Sequence, residues 1–324
     1  MNEQEGLVFA YVLDGQGGGQ AIDWKGVKQW SAEQGVLWLH LDYANEKVQK
    51  WLSDDSGLSS ILSESLLAEE TRPRCVFSEE GLLLILRGVN CNPGADPEDM
   101  VSLRMLFTEH RILSMRHRRV MAIDDIGNAI KSGTGPTSSA DFLIMVCRRI
   151  TDRMGDVVAE IDDSVDELED TVLTAESKEL RPKLSDLRRQ TISLRRYVAP
   201  QRDVIARLQN ERIPWLDDMD KAHIREVWER TARFVEDIDS AREHAAVTQE
   251  ELNNRLSEQM NKAMYLLSIV AAIFLPLGLL TGLLGINVGG IPGAEYKWAF
   301  AIVALGLVGL AVLLVGWFKR IKWL

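Results

Sequence analysis

Two uncharged apolar spans, 263–284 and 298–318, fall near the end of this 324-residue chain, separated by a 13-residue loop, and they limit what the rest can be. As helices, their 22 and 21 residues reach about 33 and 32 Å, enough to cross a hydrocarbon core of about 30 Å. Each run is longer than the core helix of a soluble protein needs, which disfavours a buried hairpin. Arg255 and Lys262 precede the first span, and Lys319, Arg320 and Lys322 follow the second, whereas the loop carries only Lys297. Basic residues stay on the cytoplasmic side, so both chain ends are expected there. The start, Met1 to Glu5, is acidic where a signal peptide is basic, so the large N-terminal region is expected inside.

Of 37 Lys/Arg and 48 Asp/Glu, four basic and one acidic residue lie in 263–324, leaving 33 against 47, a net of −14, for the remainder. That balance favours cations and disfavours nucleic acid as a partner. Cys75, Cys91 and Cys147 form no C-x-x-C pair and are expected to be reduced packing residues.

Over 1–132, short apolar runs alternate with turn signals. Strands are expected at 7–13, 36–42, 82–89, 101–109 and 111–115, with helices at about 46–52, 58–68 and 120–131, which makes a cytoplasmic α/β domain. Gly17-Gly18-Gly19 lacks a following Lys-Ser/Thr and is not a phosphate loop. After Gly133-Thr134-Gly135-Pro136 the pattern is helical through 262. Met154, Val157, Ile161, Val165, Leu168 and Val172 recur at three- and four-residue steps, and Asp152, Asp156, Glu160, Asp163, Glu167 and Asp170 form an acidic stripe on another face. Such a stripe is either a solvated face or, where several copies surround one axis, a cation-attracting surface. A second helix is expected over about 177–212, kinked or broken at Pro200. A third starts after a turn at 214–218 and, if it continues into the first span, forms one rod of about 100 Å.

A cation path needs polar groups at membrane depth that face water. Stepping back along the first span from Asn287 gives Gly282, Gly278, Leu275, Ala271, Leu267 or Ser268, Met264 and Asn261, a face of small and smooth residues with an Asn at each end. Spacing alone leaves this face open to two uses, lining a wet path or packing helices closely. The second span is almost purely apolar and is expected to face lipid. One hairpin has too few helices to enclose a channel, so a pore requires a ring of copies.

Gly285-Ile286-Asn287 after an apolar span carrying Phe274-Leu275-Pro276, followed by a short loop and a second span, resembles the CorA superfamily of divalent-cation transporters. Its magnesium members read Tyr-Gly-Met-Asn where this chain has Leu284-Gly285-Ile286-Asn287, and the chain is more similar to the zinc-transporting branch. Trp38-Leu39-His40-Leu41, Thr71-Arg72-Pro73-Arg74, Ala199-Pro200-Gln201-Arg202-Asp203 and Lys322-Trp323-Leu324 also resemble that branch. The resemblance implies an α+β membrane protein of the bacterial inner membrane, assembled as a funnel-shaped homopentamer. Each copy would have a cytoplasmic α/β/α domain (1–132), a helical stalk (133–262), a pore-lining first transmembrane helix (263–284), a periplasmic loop (285–297), a second transmembrane helix (298–318) and a basic tail (319–324). It also implies transport of zinc, with cobalt, nickel, cadmium or magnesium as further ions, and coupling to protons. Zinc is then cargo, and no cofactor is expected.

Physical chemistry limits that implication. Asn287 amides offer neutral oxygens that bind a cation's water shell without replacing it, so the ion is expected to enter hydrated. Gly285 lets the helix end, and five copies of Glu295 at the outer mouth would concentrate cations. The five His are unpaired at ligand spacing, so no tight zinc site is expected. The first span holds no Asp, Glu, His or Lys, so proton coupling is expected through cytoplasmic carboxylates or pore water. A membrane-anchored scaffold whose acidic stalk binds partners is the alternative from another class. No nucleophile elbow or phosphate loop points to an enzyme.

Overall fold

The computed structural model describes residues 6–321, apart from 70, 175–176, 287–290, 292, 294–295 and the side chains of 173, 174 and 177–179. Seven strands, β1 (Leu7–Leu13), β2 (Gly19–Ile22), β3 (Val36–Asp42), β4 (Arg74–Ser78), β5 (Gly81–Gly88), β6 (Val101–Phe107) and β7 (Arg111–Arg116), form one sheet in the order β2-β1-β3-β7-β6-β5-β4. All pairs are antiparallel except β3–β7, where Leu37 lies opposite Arg111 and Asp42 opposite Arg116.

Side chains alternate across a strand, and here both faces are covered. Leu37, Leu39 and Leu41 of β3 join Leu83, Leu106 and Leu113 in a core with Val48 and Leu52 of α2 (Glu46–Asp54) and Leu62 and Leu66 of α3 (Ser60–Leu67). The neighbouring Trp38 joins Leu84, Met105 and Phe107 on the opposite face, with α4 (Met121–Lys131), α5 (Ser139–Thr174), α6 (Ser177–Asn210) and the start of α7 (Asp218–Gly285). A short helix, α1 (Trp24–Gln29), precedes β3. The helix starts follow their caps: Asp23 accepts from the Gly26 amide at 2.9 Å and Asn45 from the Lys47 amide at 3.0 Å.

The glycine-rich turns expected as breaks meet each other. The Gly135 amide donates to the Gly17 carbonyl at 2.7 Å. At Gly17, where φ is +95°, a Cβ would stand 2.8 Å from the Gly133 carbonyl oxygen, so only glycine fits.

Two expectations change. Pro200 does not break α6, which runs unbroken through Pro182 and Pro200. A proline removes one intrahelical bond, and here Val204 and Ile205 join the sheet core while Gln201 Oε1 accepts from the Arg87 amide of β5 at 2.7 Å. On α5, Val158 is buried where Val157 is only partly so. The apolar stripe is therefore Met154, Val158, Ile161, Val165, Leu168 and Val172.

The chain divides into two compact units, Met1–Gln249 and Glu250–Leu324. The sheet and the helices packed on it belong to the first. The second contains residues 250–285 of α7 and α8 (Ala299–Arg320), both long and apolar enough to cross a membrane.

Candidate functional site: the apolar helices and the acidic helix face

Within 263–286, Ile269 is the one buried side chain among the described residues, at 5 % exposure. Ala272, Ile273, Pro276 and Leu277, one and two turns on, are half-buried. These positions define the shielded side of the helix. At about 100° per residue, Met264, Leu267, Ala271, Leu275, Gly278 and Gly282 lie roughly 160–240° around from Ile269. The structure thus gathers them on the opposite side, where Ala271 is half-buried and the others are exposed. Met264 and Leu275 are 60 % and 70 % exposed, and a Cβ added at Gly278 or Gly282 would meet nothing within 4 Å. Asn261 is exposed but lies about 80° from the Ile269 line, on the flank of that face.

The hydroxyls of the span are turned back on their own helix. Ser268 Oγ donates to the Met264 carbonyl at 2.8 Å, and Thr281 Oγ1 to those of Leu277 at 3.0 Å and Gly278 at 3.1 Å. A hydroxyl bonded this way keeps only acceptor capacity for anything passing it. Of the motif that follows, Gly285 closes α7 and Ile286 is exposed, while Asn287 and Glu295 lie outside the described residues. On α8, Val303, Ala304, Leu307, Leu310, Ala311, Leu314 and Val315 are half-buried and recur at helical spacing up to the buried Phe318, with Leu305 and Leu313 exposed on the other side and Phe300, about five turns before Phe318, exposed at the start of the same line.

Asp152, Asp156, Glu160, Asp163, Glu167 and Asp170 are all exposed on the side of α5 opposite its buried stripe. Asp152 accepts from Arg230 Nη1 of α7 at 2.6 Å. The other five make no ion pair among the described residues. The sequence pattern did not single out Asp237 on α7. Partial burial raises its pKa above the usual carboxylate range, as do the nearby charges of Asp162 and Glu236, against the opposing pull of Arg233. Only the neighbouring helix's identity could have signalled this.

No group of three or more His, Cys, Asp or Glu able to hold a metal occurs among the described residues. The histidines are used otherwise. His40 is fully buried beneath Phe9, and its Nδ1 lies 2.8 Å from Ser114 Oγ, which also accepts from Trp38 Nε1 at 2.8 Å. Burial, and then the charge of Arg116, lowers its pKa to about 3, so it stays neutral. His223 Nδ1 meets Arg148 at 2.7 Å, and His244 Nδ1 meets Glu169 at 2.9 Å.

Residues 33–320 match the family described as CorA-like Mg2+ transporter protein. The chain is 39 % identical over 317 residues to a Yersinia enterocolitica protein named zinc transport protein ZntB, covering 98 % of this chain and 96 % of that one. It is 38 % identical over 325 residues to the Pseudomonas aeruginosa protein named divalent cation transporter CmaX, covering 99 % and 98 %. The solved structure of full-length CmaX superposes with a TM-score of 0.85 over 98 % of both chains, at 38 % identity.

Proposed function

This chain belongs to the CorA-like family of ion transporters, and from that membership we propose that it carries zinc across the bacterial inner membrane, into the cytoplasm. The observation that carries the reading is the small-residue face of α7, turned away from the shielded side of the helix and, apart from the half-buried Ala271, left open in a single copy. In a ring of five copies that face would line a wet path, with α8 outside it against lipid and both chain ends in the cytoplasm. Because Ser268 and Thr281 are bonded to their own helix, the path offers few donors, which suits a cation that keeps its water shell. Asn287 would then hold that shell at the outer end, with Glu295 drawing cations to the mouth. The relatedness to CmaX supports a wider range, with cobalt, nickel, cadmium and magnesium as candidate ions.

Proton coupling belongs to the cytoplasmic helices in this reading. Asp237 holds a proton more readily than an ordinary carboxylate, and the acidic stripe of α5 supplies further sites. Tracer flux into liposomes, measured side by side for zinc, cobalt, nickel, cadmium and magnesium with and without a pH gradient, tests both parts. Asn287→Ala should change zinc flux about tenfold or more. Flux absent for every dication would sink the transport reading. A gradient dependence that survives neutralising Asp237 and the α5 stripe would sink the coupling route.

A further inference from the structure

We propose that the inner ends of α7 and α8 form a binding site for the phosphate headgroup of an anionic phospholipid. It rests on the reading above that both helices cross a bilayer with Lys262 and Lys319 on the same side. From Lys262 to the end of α7's apolar run and from Trp298 to Lys319 the helices climb nearly the same number of residues, so the two lysines reach one depth. Lys262 stands two turns before Ile269 on the shielded line of α7, and Lys319 follows the buried Phe318 on α8. The charges therefore sit at the same end of the two apolar helices, Lys262 on the shielded line of α7 and Lys319 about 100° around α8 from Phe318. Arg320 adds a third on the exposed side.

These three cations are exposed and make no ion pair among the described residues, and Glu258, one turn before Lys262, does not pair with it. Beside them Tyr265 and Trp317 are 43 % and 58 % exposed, at the level where aromatic rings meet the headgroups. The opposite end has the same aromatic dressing in Tyr296 and Trp298, but Lys297 is its one cation among the described residues. Aromatics thus mark both interfaces, whereas the cluster of cations marks only the inner one. A lipid phosphate brings the charge the cluster lacks, and its acyl chains bring the apolar surface α8 exposes.

The test is mass spectrometry of the full chain released from bilayers containing phosphatidylglycerol and phosphatidylcholine in equal amounts. Phosphatidylglycerol should be retained in preference. At about fivefold per basic side chain, Lys262→Gln should lower that preference about fivefold, and the Lys262, Lys319 and Arg320 triple Gln variant on the order of a hundredfold. Lys297→Gln should leave it unchanged. Equal retention of the two lipids, a loss on Lys297→Gln matching that of Lys262→Gln, or displacement of the lipid by excess inorganic phosphate would each overturn the proposal. If the unmodified chain fails to float with vesicles of either lipid, the spanning reading itself falls and this site with it. Lys262→Gln keeps two inner cations to hold orientation, so its result stands if the triple variant misinserts.

Discussion

The two compact units use the same apolar residue types in opposite ways. In the first, Trp38, Phe107, Phe142 and a run of leucines are sealed between the sheet and its helices. In the second, phenylalanines, leucines and valines point outward, and Ile269 and Phe318 are the buried side chains of the described residues in 263–321. A core of the first kind is stabilised by removal from water. Side chains of the second kind need a medium that is already apolar, or neighbouring helices, and the backbone satisfies its own hydrogen bonds because it is helical. Stability therefore resides in the first unit, and surface chemistry decides the behaviour of the second.

Paired substitutions can break this contrast. The largest effect should come from Phe142→Ala, whose ring lies 4.7 Å from Trp38 and 6.0 Å from Phe107. It should lower the unfolding free energy of the detergent-solubilised chain by about 3–5 kcal/mol in urea titration. Phe300→Ala, at a ring that is 87 % exposed, should change it by no more than about 0.5 kcal/mol. Comparable losses at the two sites would end the distinction.

Acid should act next, and on the first unit. The folded state holds His40 at about 3, below its ordinary 6.5, so between those values the unfolded chain binds the extra proton. The neutral ring's contribution is complete above about pH 6.5 and is lost as pH falls towards 3, by about 1.4 kcal/mol per unit. Over two units this is about 2–3 kcal/mol, and His40→Gln should flatten the slope by that amount. An unchanged slope would remove His40 from the account.

A third pair sharpens the reading of the second unit. Gly278→Leu places bulk on the open face of α7, and Gly309→Leu places it on the exposed side of α8. Zinc flux should drop about tenfold or more for the first and less than about twofold for the second, and equal losses would move the path off α7. The smallest effect is expected at the partly exposed Asp152–Arg230 pair, whose coupling in a double-mutant cycle should stay under about 1 kcal/mol.

How far the sequence anticipates the structure depends on how much each element repeats. β1, β3 and β5 to β7 were legible because apolar residues fill both faces of short runs bounded by turns, and β1 and β3 begin and end where expected. β2 and β4 were not. Gly19-Gln20-Ala21-Ile22 has almost no apolar signal, and Arg74 to Ser78 buries only Cys75, because both strands lie at sheet edges. At Pro200 the expected break is absent because the local rule gave way to packing around it. On α7 the small-residue face was legible from spacing, but which way it turns was not, since that follows from the shielding of Ile269. The raised proton affinity of Asp237 comes first from its partial burial and then from Asp162, 75 positions away, and no local pattern signals either.

α7 supplies Ile224 and Val227 to the sheet core and, further along, the apolar run from 263. One helix thus sets a schedule for the ribosome. The first unit lacks the last residues of its sheet core until 227 is made, and the first apolar run begins only 36 residues later, about 2–7 s at ordinary elongation rates. Folding of the first unit and delivery of the apolar run to the bilayer fall within the same few seconds, so slowing translation between 227 and 263 should let the nascent sheet close before the insertion machinery takes hold.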